Sequence, residues 1–189
     1  MGAKMIKISP KQALYIGAIG AISFVLAFVL GSAVNALTGI PLTGGILNGI
    51  IVGAVITIGI KGVERFGTAT LIWFVFTIFA IPTLTFGPPG WYKVIVGIIV
   101  GFIWDLIISL FRRKKLGYIL SAGVGASAIT YGVFMAIKYL GLPAAEKLAK
   151  ALYFLIPMNF AISCLGALVG LWLFRKHLSK MSFIQGLKE

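Results

Sequence analysis

Six apolar segments, each close to the length that crosses a bilayer, dominate the chain. They run over 12–32, 43–60, 66–86, 91–111, 116–140 and 151–174. A helix rising about 1.5 Å per residue needs ~20 such residues to cross a hydrocarbon core of about 30 Å. The segments are continuously apolar rather than alternating, which excludes barrel strands. Composition closes the remaining route, since 60% of the 189 residues are hydrophobic and 11% charged, with mean hydropathy +1.07. A soluble domain this short buries only part of its apolar surface. Lipid must therefore be the solvent, and the expected fold is an all-α membrane protein of six transmembrane helices, one integral domain over residues 1–189.

The net charge of +13 would suggest nucleic acid in a soluble protein. Here the cations sit in short connections between apolar segments, so no nucleic-acid partner is expected. Lys4, Lys7, Lys11, Lys61, Arg65, the run Arg112–Lys115, and Arg175, Lys176, Lys180 and Lys188 fall on one side. Lys93, Lys138, Lys147 and Lys150 fall on the other. This alternation predicts cytoplasmic N and C termini and a multi-pass protein of the cell membrane. The lysines ahead of 12–32 resemble a secretory signal, but the apolar run Ala13–Leu30 exceeds the ~7–15 residues of a signal core. It reads as a retained first span.

The outer connections differ in character. The first, 32–43, is uncharged and interrupted by Gly39 and Pro41, which predicts a re-entrant or lid segment shielded by protein. In the second, Pro88 and Pro89 stop the third helix, and Trp91 and Tyr92 open the fourth at the interface. A short interfacial helix is expected after Pro143 in the third.

Small residues recur at four-residue spacing: Ala13, Gly17 and Ala21; Gly45, Gly49 and Gly53; Gly97 and Gly101; Gly166 and Gly170. Such stripes let helix backbones approach closely. Most are expected to be internal packing faces, and the first is the candidate contact with a partner subunit. Polar residues within the spans are few. Asn48, Tyr131 and Asn159 fall at a similar level in the outer half, beneath Trp91 and Tyr92, and Asn35 lies on the first outer connection. Each has a plain structural reading as an interhelical hydrogen bond or a member of the interface belt. Together they outline a candidate solute pocket, mostly apolar and aromatic with a few placed polar groups.

Nothing supports catalysis. The chain has four acidic residues, one histidine (His177) and one cysteine (Cys164), so neither paired carboxylates nor a metal-ligand cluster can be assembled. No enzyme activity, cofactor or metal is expected. Asp105 is the one carboxylate inside a span. It lies ~9 Å from the Phe111 end of its helix at about 1.5 Å per residue. That inner third is within reach of snorkelling cations such as Arg112, Lys61, Arg65 or Arg175. A structural or coupling role is favoured over a substrate role.

Taken together, these features resemble the substrate-binding S component of energy-coupling factor (ECF) vitamin transporters. The resemblance rests on six helices with cytoplasmic termini and on the small-residue pattern Ala13-xxx-Gly17-xxx-Ala21 of the first helix. It also rests on the uncharged 32–43 connection and on GPPGWYKVIVGIIVGFIWDL over 87–106. It implies a solute captured from outside, in the outer half, against helices four to six and loops one and three. It also implies docking on a transmembrane coupling subunit and ATP hydrolysis on separate ATPase subunits, since this chain has no GxxxxGK[ST] loop. A vitamin or precursor is the implied solute, and the aromatic and amide candidates would suit a flat heteroaromatic related to thiamine. The alternatives from other classes are an oligomeric channel or facilitator for a small solute, and a structural membrane subunit.

Overall fold

A computed structural model describes residues 8–38, 44–84, 87–142 and 144–187. Helix α1 (Pro10–Thr38) is followed by α2 (Gly44–Val63), α3 (Thr68–Ala80), α4 (Tyr92–Leu110), α5 (Lys115–Tyr139) and α6 (Ala144–Leu173). A π-helical turn over Phe174–Leu178 and a one-turn helix α7 (Ser182–Gln185) complete the described chain. Among these, stretches of α1, α4, α5 and α6 are long and apolar enough to cross a membrane, while Asn48–Val63 and Thr68–Ala80 are shorter apolar helices. Large apolar side chains point outward at helical spacing, as with Ile95, Phe102, Leu106 and Leu110 on α4. Such faces are stable against lipid rather than water, and they mark the chain as a membrane protein.

The ends of the helices follow from local chemistry. Ser9 and Gln12 bracket Pro10 in a reciprocal cap at the start of α1. The Ser9 N–H donates to Gln12 Oε1 at 3.0 Å and the Gln12 N–H to Ser9 Oγ at 3.3 Å, the pattern that satisfies two orphan amides at once. Proline at the first helical position costs nothing there. The Gln12 amide also donates to the Leu187 carbonyl at 2.5 Å. This bond ties the C-terminal tail to the start of α1, where Phe174, Ile184 and Leu187 form a small buried cluster.

Three boundaries depart from the sequence reading. Helix α1 continues to Thr38 instead of ending near 32, so half of the expected lid connection is helical; residues 39–43 lie outside the described residues. The third segment, expected over 66–86, is helical only over Thr68–Ala80. Pro82 has no N–H for the ladder and its ring crowds the preceding turn. The chain tightens into i→i+3 bonds, Ile81 N–H to the Ile78 carbonyl and Thr83 N–H to the Ala80 carbonyl. The helix expected after Pro143 is no separate element; it is continuous with the sixth span as the 30 residues of α6.

The six long helices close a ring in which α1 touches α2 and α3, α2 touches α6, α6 touches α5, α5 touches α4, and α4 touches α3. Helix α2 also reaches α3 and α5 across the ring. Glycine permits the closest approaches. A Cβ on Gly166 would meet the backbone of Gly49 and Ile50, and one on Gly101 would lie 2.5 Å from Thr70 Cα. Gly17 is the opposite case, with nothing within 4 Å of an added Cβ. Gly166→Ala is therefore expected to destabilise the bundle by about 1–3 kcal/mol, the usual cost of overpacking. Gly17→Ala should be neutral or stabilising by up to about 1 kcal/mol. Denaturation of both variants in detergent checks this, and equal losses would contradict the close α2–α6 contact.

Candidate functional site

One end of the bundle gathers most of the described basic residues, with Lys61, Arg65, the 112–115 run and Arg175 all at helix ends there. Packing is tight in that half and loose in the other. On α5, Gly117, Tyr118, Ser121, Ala122, Gly123 and Gly125 are buried, and no residue from Ala126 to Gly132 is. On α6, Ser163, Gly166, Ala167 and Gly170 are buried, whereas no described side chain from Ala145 to Ile162 is. Pro157 adds to this looseness by removing the ladder donor for the Tyr153 carbonyl. The α5–α6 seam is thus more exposed in its far half, although Val133 and Ile137 of α5 are buried there and Asn159 of α6 bonds to Thr130 across it.

The polar candidates distribute around the ring. Asn159 lies in the seam and its Nδ2 donates to Thr130 Oγ1 at 2.9 Å, with Ser127 Oγ near the Ile156 carbonyl at 3.4 Å. Tyr131 is 51% exposed beside it on α5. Asn48 is instead buried between α1 and α2, 7% exposed, and its Nδ2 donates to the Ala27 carbonyl at 3.0 Å. Its Oδ1 has no partner among the described residues. Trp91 is 72% exposed at the mouth of α4. The Tyr92 hydroxyl donates to the Pro88 carbonyl at 2.8 Å and borders a cleft of about 330 Å³ empty volume with Trp73, Phe76, Thr77 and Lys93. The side chain of Asn35 lies outside the described residues. Asn159 therefore meets α5 at Thr130, the residue before Tyr131, while Tyr92 and Asn48 serve two other regions. Thr130 and Ser127, which complete the seam, were missed because a hydroxyl one helical turn from its own carbonyl leaves no pattern in sequence.

The charged residues of α4 have a different task. Asp105 is 3% exposed. It accepts hydrogen bonds from the Ala69 N–H at 3.2 Å, the Thr70 N–H at 2.9 Å and the Thr70 hydroxyl at 2.7 Å. These amides are orphans of the first turn of α3. The residue preceding that helix, Gly67 at φ 89°, has no side chain to cap them. Asp105 thus caps α3 from the neighbouring helix, and these bonds go to α3 rather than to Arg112, which is exposed in the α4–α5 turn. Lys93, assigned by sequence to an outer connection, is 3% exposed. Its Nζ donates to the Ala80 carbonyl at 2.9 Å and the Thr83 carbonyl at 2.6 Å, at the other end of α3. A carboxylate at the N-terminus and an ammonium at the C-terminus both complement the helix dipole.

The first helix presents a third region. Ala13 is exposed, and Gly17 and Ala21 are half-buried, on a face shared with the exposed Leu14, Ile22 and Val25. Among the described residues no group of three His, Cys, Asp or Glu side chains is placed to hold a metal ion. No protein-family model, curated protein or solved structure matches the chain.

Asp105→Asn, which keeps an acceptor and removes the charge, is expected to cost about 1–2 kcal/mol of stability. Lys93→Met should cost a similar amount. The two positions are roughly 18 Å apart along α4 at about 1.5 Å per residue, so their effects should add within about 0.5 kcal/mol. A double variant no less stable than the weaker single variant would contradict independent caps.

Proposed function

We propose that the chain is a non-enzymatic solute-capture subunit of an ECF-type importer, spanning the membrane six times with both termini cytoplasmic. The observation that supports this reading is the greater exposure of α5 over Ala126–Gly132 and of α6 over Ala145–Ile162 than of their basic-end halves. A binding protein needs a rigid base and a region able to close around a ligand, and loosely packed elements supply the second. Asn159, Thr130 and Tyr131 offer amide, hydroxyl and aromatic groups on that seam, and Trp91 stands exposed at the same end. These groups suit a flat heteroaromatic solute, with a vitamin or vitamin precursor as the class and a thiamine-related compound as the first to test.

The open face of α1 around Ala13, Gly17 and Ala21 supports docking of a transmembrane coupling subunit, since a helix meets a smooth face closely. ATP hydrolysis would then take place on separate ATPase subunits. In this scheme Asp105 and Lys93 hold the scaffold and do not touch the solute.

Isothermal titration of the purified protein against a vitamin panel, including thiamine and its pyrimidine precursor, tests the reading. One ligand is expected to bind with sub-micromolar affinity. Asn159→Ala should weaken it about tenfold through the loss of one hydrogen bond and its partner, and Asp105→Asn should leave affinity within about twofold. Absence of binding across the panel, together with no coupling or ATPase subunit on gentle purification, would remove the proposal. Solute flux in liposomes without any ATPase would favour a channel instead.

A further inference from the structure

The segment that follows α6 does not project off the end of the bundle. After the π-helical turn over Phe174–Leu178 the chain folds back along the bundle wall. There Phe174, Ile184 and Leu187 form a buried cluster packed against Tyr15 of α1 and Ile58 of α2. Tyr15 and Ile58 each lie five residues inside the ends of their helices at Pro10 and Val63. That is roughly 7–8 Å along the axis at about 1.5 Å per residue. The buried Gln12 amide holds the Leu187 carbonyl, and the Phe183 and Tyr15 rings meet with centroids 6.0 Å apart. The segment is thus fixed beside the helices, at a level inside their basic ends.

Its two faces differ. Ile184 and Leu187 turn inward, whereas Met181 and Phe183 are 51% and 56% exposed. Leu14, the neighbour of Tyr15 on α1, is 75% exposed. Water at this face would leave three large apolar side chains uncovered, and an adjoining apolar phase would remove that cost. The charges indicate which phase. Lys176 and Lys180 are exposed on the segment, and Lys11 is exposed at the start of α1. The outward-facing Trp172 of α6 carries Lys176 Nζ over its ring at 4.9 Å. An exposed tryptophan with a snorkelling cation belongs at the boundary between acyl chains and headgroups. Apolar side chains flanked by lysines are the pattern of an amphipathic element lying in that boundary. We propose that residues 179–187 form an interfacial element, held to the bundle by Ile184 and Leu187. It sets Met181 and Phe183 into the lipid boundary while Lys176 and Lys180 meet anionic headgroups. The proposal requires a membrane-embedded protein and does not depend on the solute-capture reading.

The test uses full-length protein reconstituted into phosphatidylcholine vesicles with and without phosphatidylglycerol. In a Cys164→Ala background, a bimane fluorophore is attached at Phe183→Cys. Leu106→Cys, on the exposed face of α4, is the lipid control, and Lys114→Cys, in the exposed α4–α5 turn, is the aqueous control. Both Phe183 and Met181 are exposed, so melting temperatures should stay at the value of the background protein. A label at Met181→Cys repeats the readout if the Phe183 variant fails to fold. Emission at position 183 is expected to be blue-shifted relative to 114, quenched by nitroxide-bearing lipid and spared by iodide. Omitting phosphatidylglycerol, or replacing Lys176 and Lys180 together by Gln, should lower the lipid quenching at 183 and leave that at 106 unchanged. Iodide quenching at 183 equal to that at 114 would place the segment in water and overturn the proposal. Protection from both quenchers would mean that protein, such as a second copy of the chain, covers the face, and would overturn it equally. Lipid quenching indifferent to phosphatidylglycerol and to both lysines would overturn the assignment to anionic headgroups.

Discussion

The 13 residues of α3 extend roughly 20 Å at about 1.5 Å per residue, well short of a hydrocarbon core of about 30 Å. Each of its ends leaves up to four backbone groups without ladder partners. Helix α4 resolves this with two side chains of opposite sign. Asp105 takes the amides at the start of α3, and Lys93 takes carbonyls at its end. Their spacing of 12 residues along α4 nearly equals the 13-residue length of the helix they enclose. This match fixes both the register and the antiparallel direction of the pair, because the reverse orientation would put each charge against the end of α3 that repels it. Gly97 and Gly101 lie on the same i, i+4 line and let α3 settle between the charges, with an added Cβ meeting Thr77 in one case and the Thr70 backbone in the other.

From that pair the ring is built in two grades of packing. At the basic end Trp73, Trp104 and Tyr118 belong to one buried cluster with Ile56, Ile60 and Ile72. Glycines bring α6 onto α2 at the same time. At the far end the seam between α5 and α6 relies on Asn159, Thr130 and Ser127, and a few hydrogen bonds between helices in lipid are each worth only about 0.6–2 kcal/mol. Local opening follows the least packed elements, and in α5 and α6 these are the exposed far halves.

The helical type was legible in the sequence, because apolar runs of this length have few alternatives in any solvent; four of the six expected segments hold helices long and apolar enough to cross a membrane. Helix ends were less so. Segment 66–86 stays apolar through Pro82, and hydropathy does not register a missing N–H. Lys93 was read as a loop cation because cations are costly in lipid, although Lys93, Gly97, Gly101 and Asp105 form one four-spaced line visible in the sequence. Extending the glycine stripe one step each way would have found both caps. Asp105 was expected to meet snorkelling cations, but its partners are two backbone amides and a hydroxyl of α3, and a stretch of sequence does not advertise which neighbouring helix will lack a cap of its own. The six solute candidates were grouped by depth alone, and depth cannot distinguish directions around a ring. That is why Asn48 faces α1 while Asn159 faces α5.

The bond between the Gln12 amide and the Leu187 carbonyl spans almost the entire chain. Its two partners are 175 residues apart in sequence, and all six long segments lie between them. No local stretch of chain can make this contact by itself, so the start of α1 keeps it only when the whole ring has closed and brought the later residues back to it.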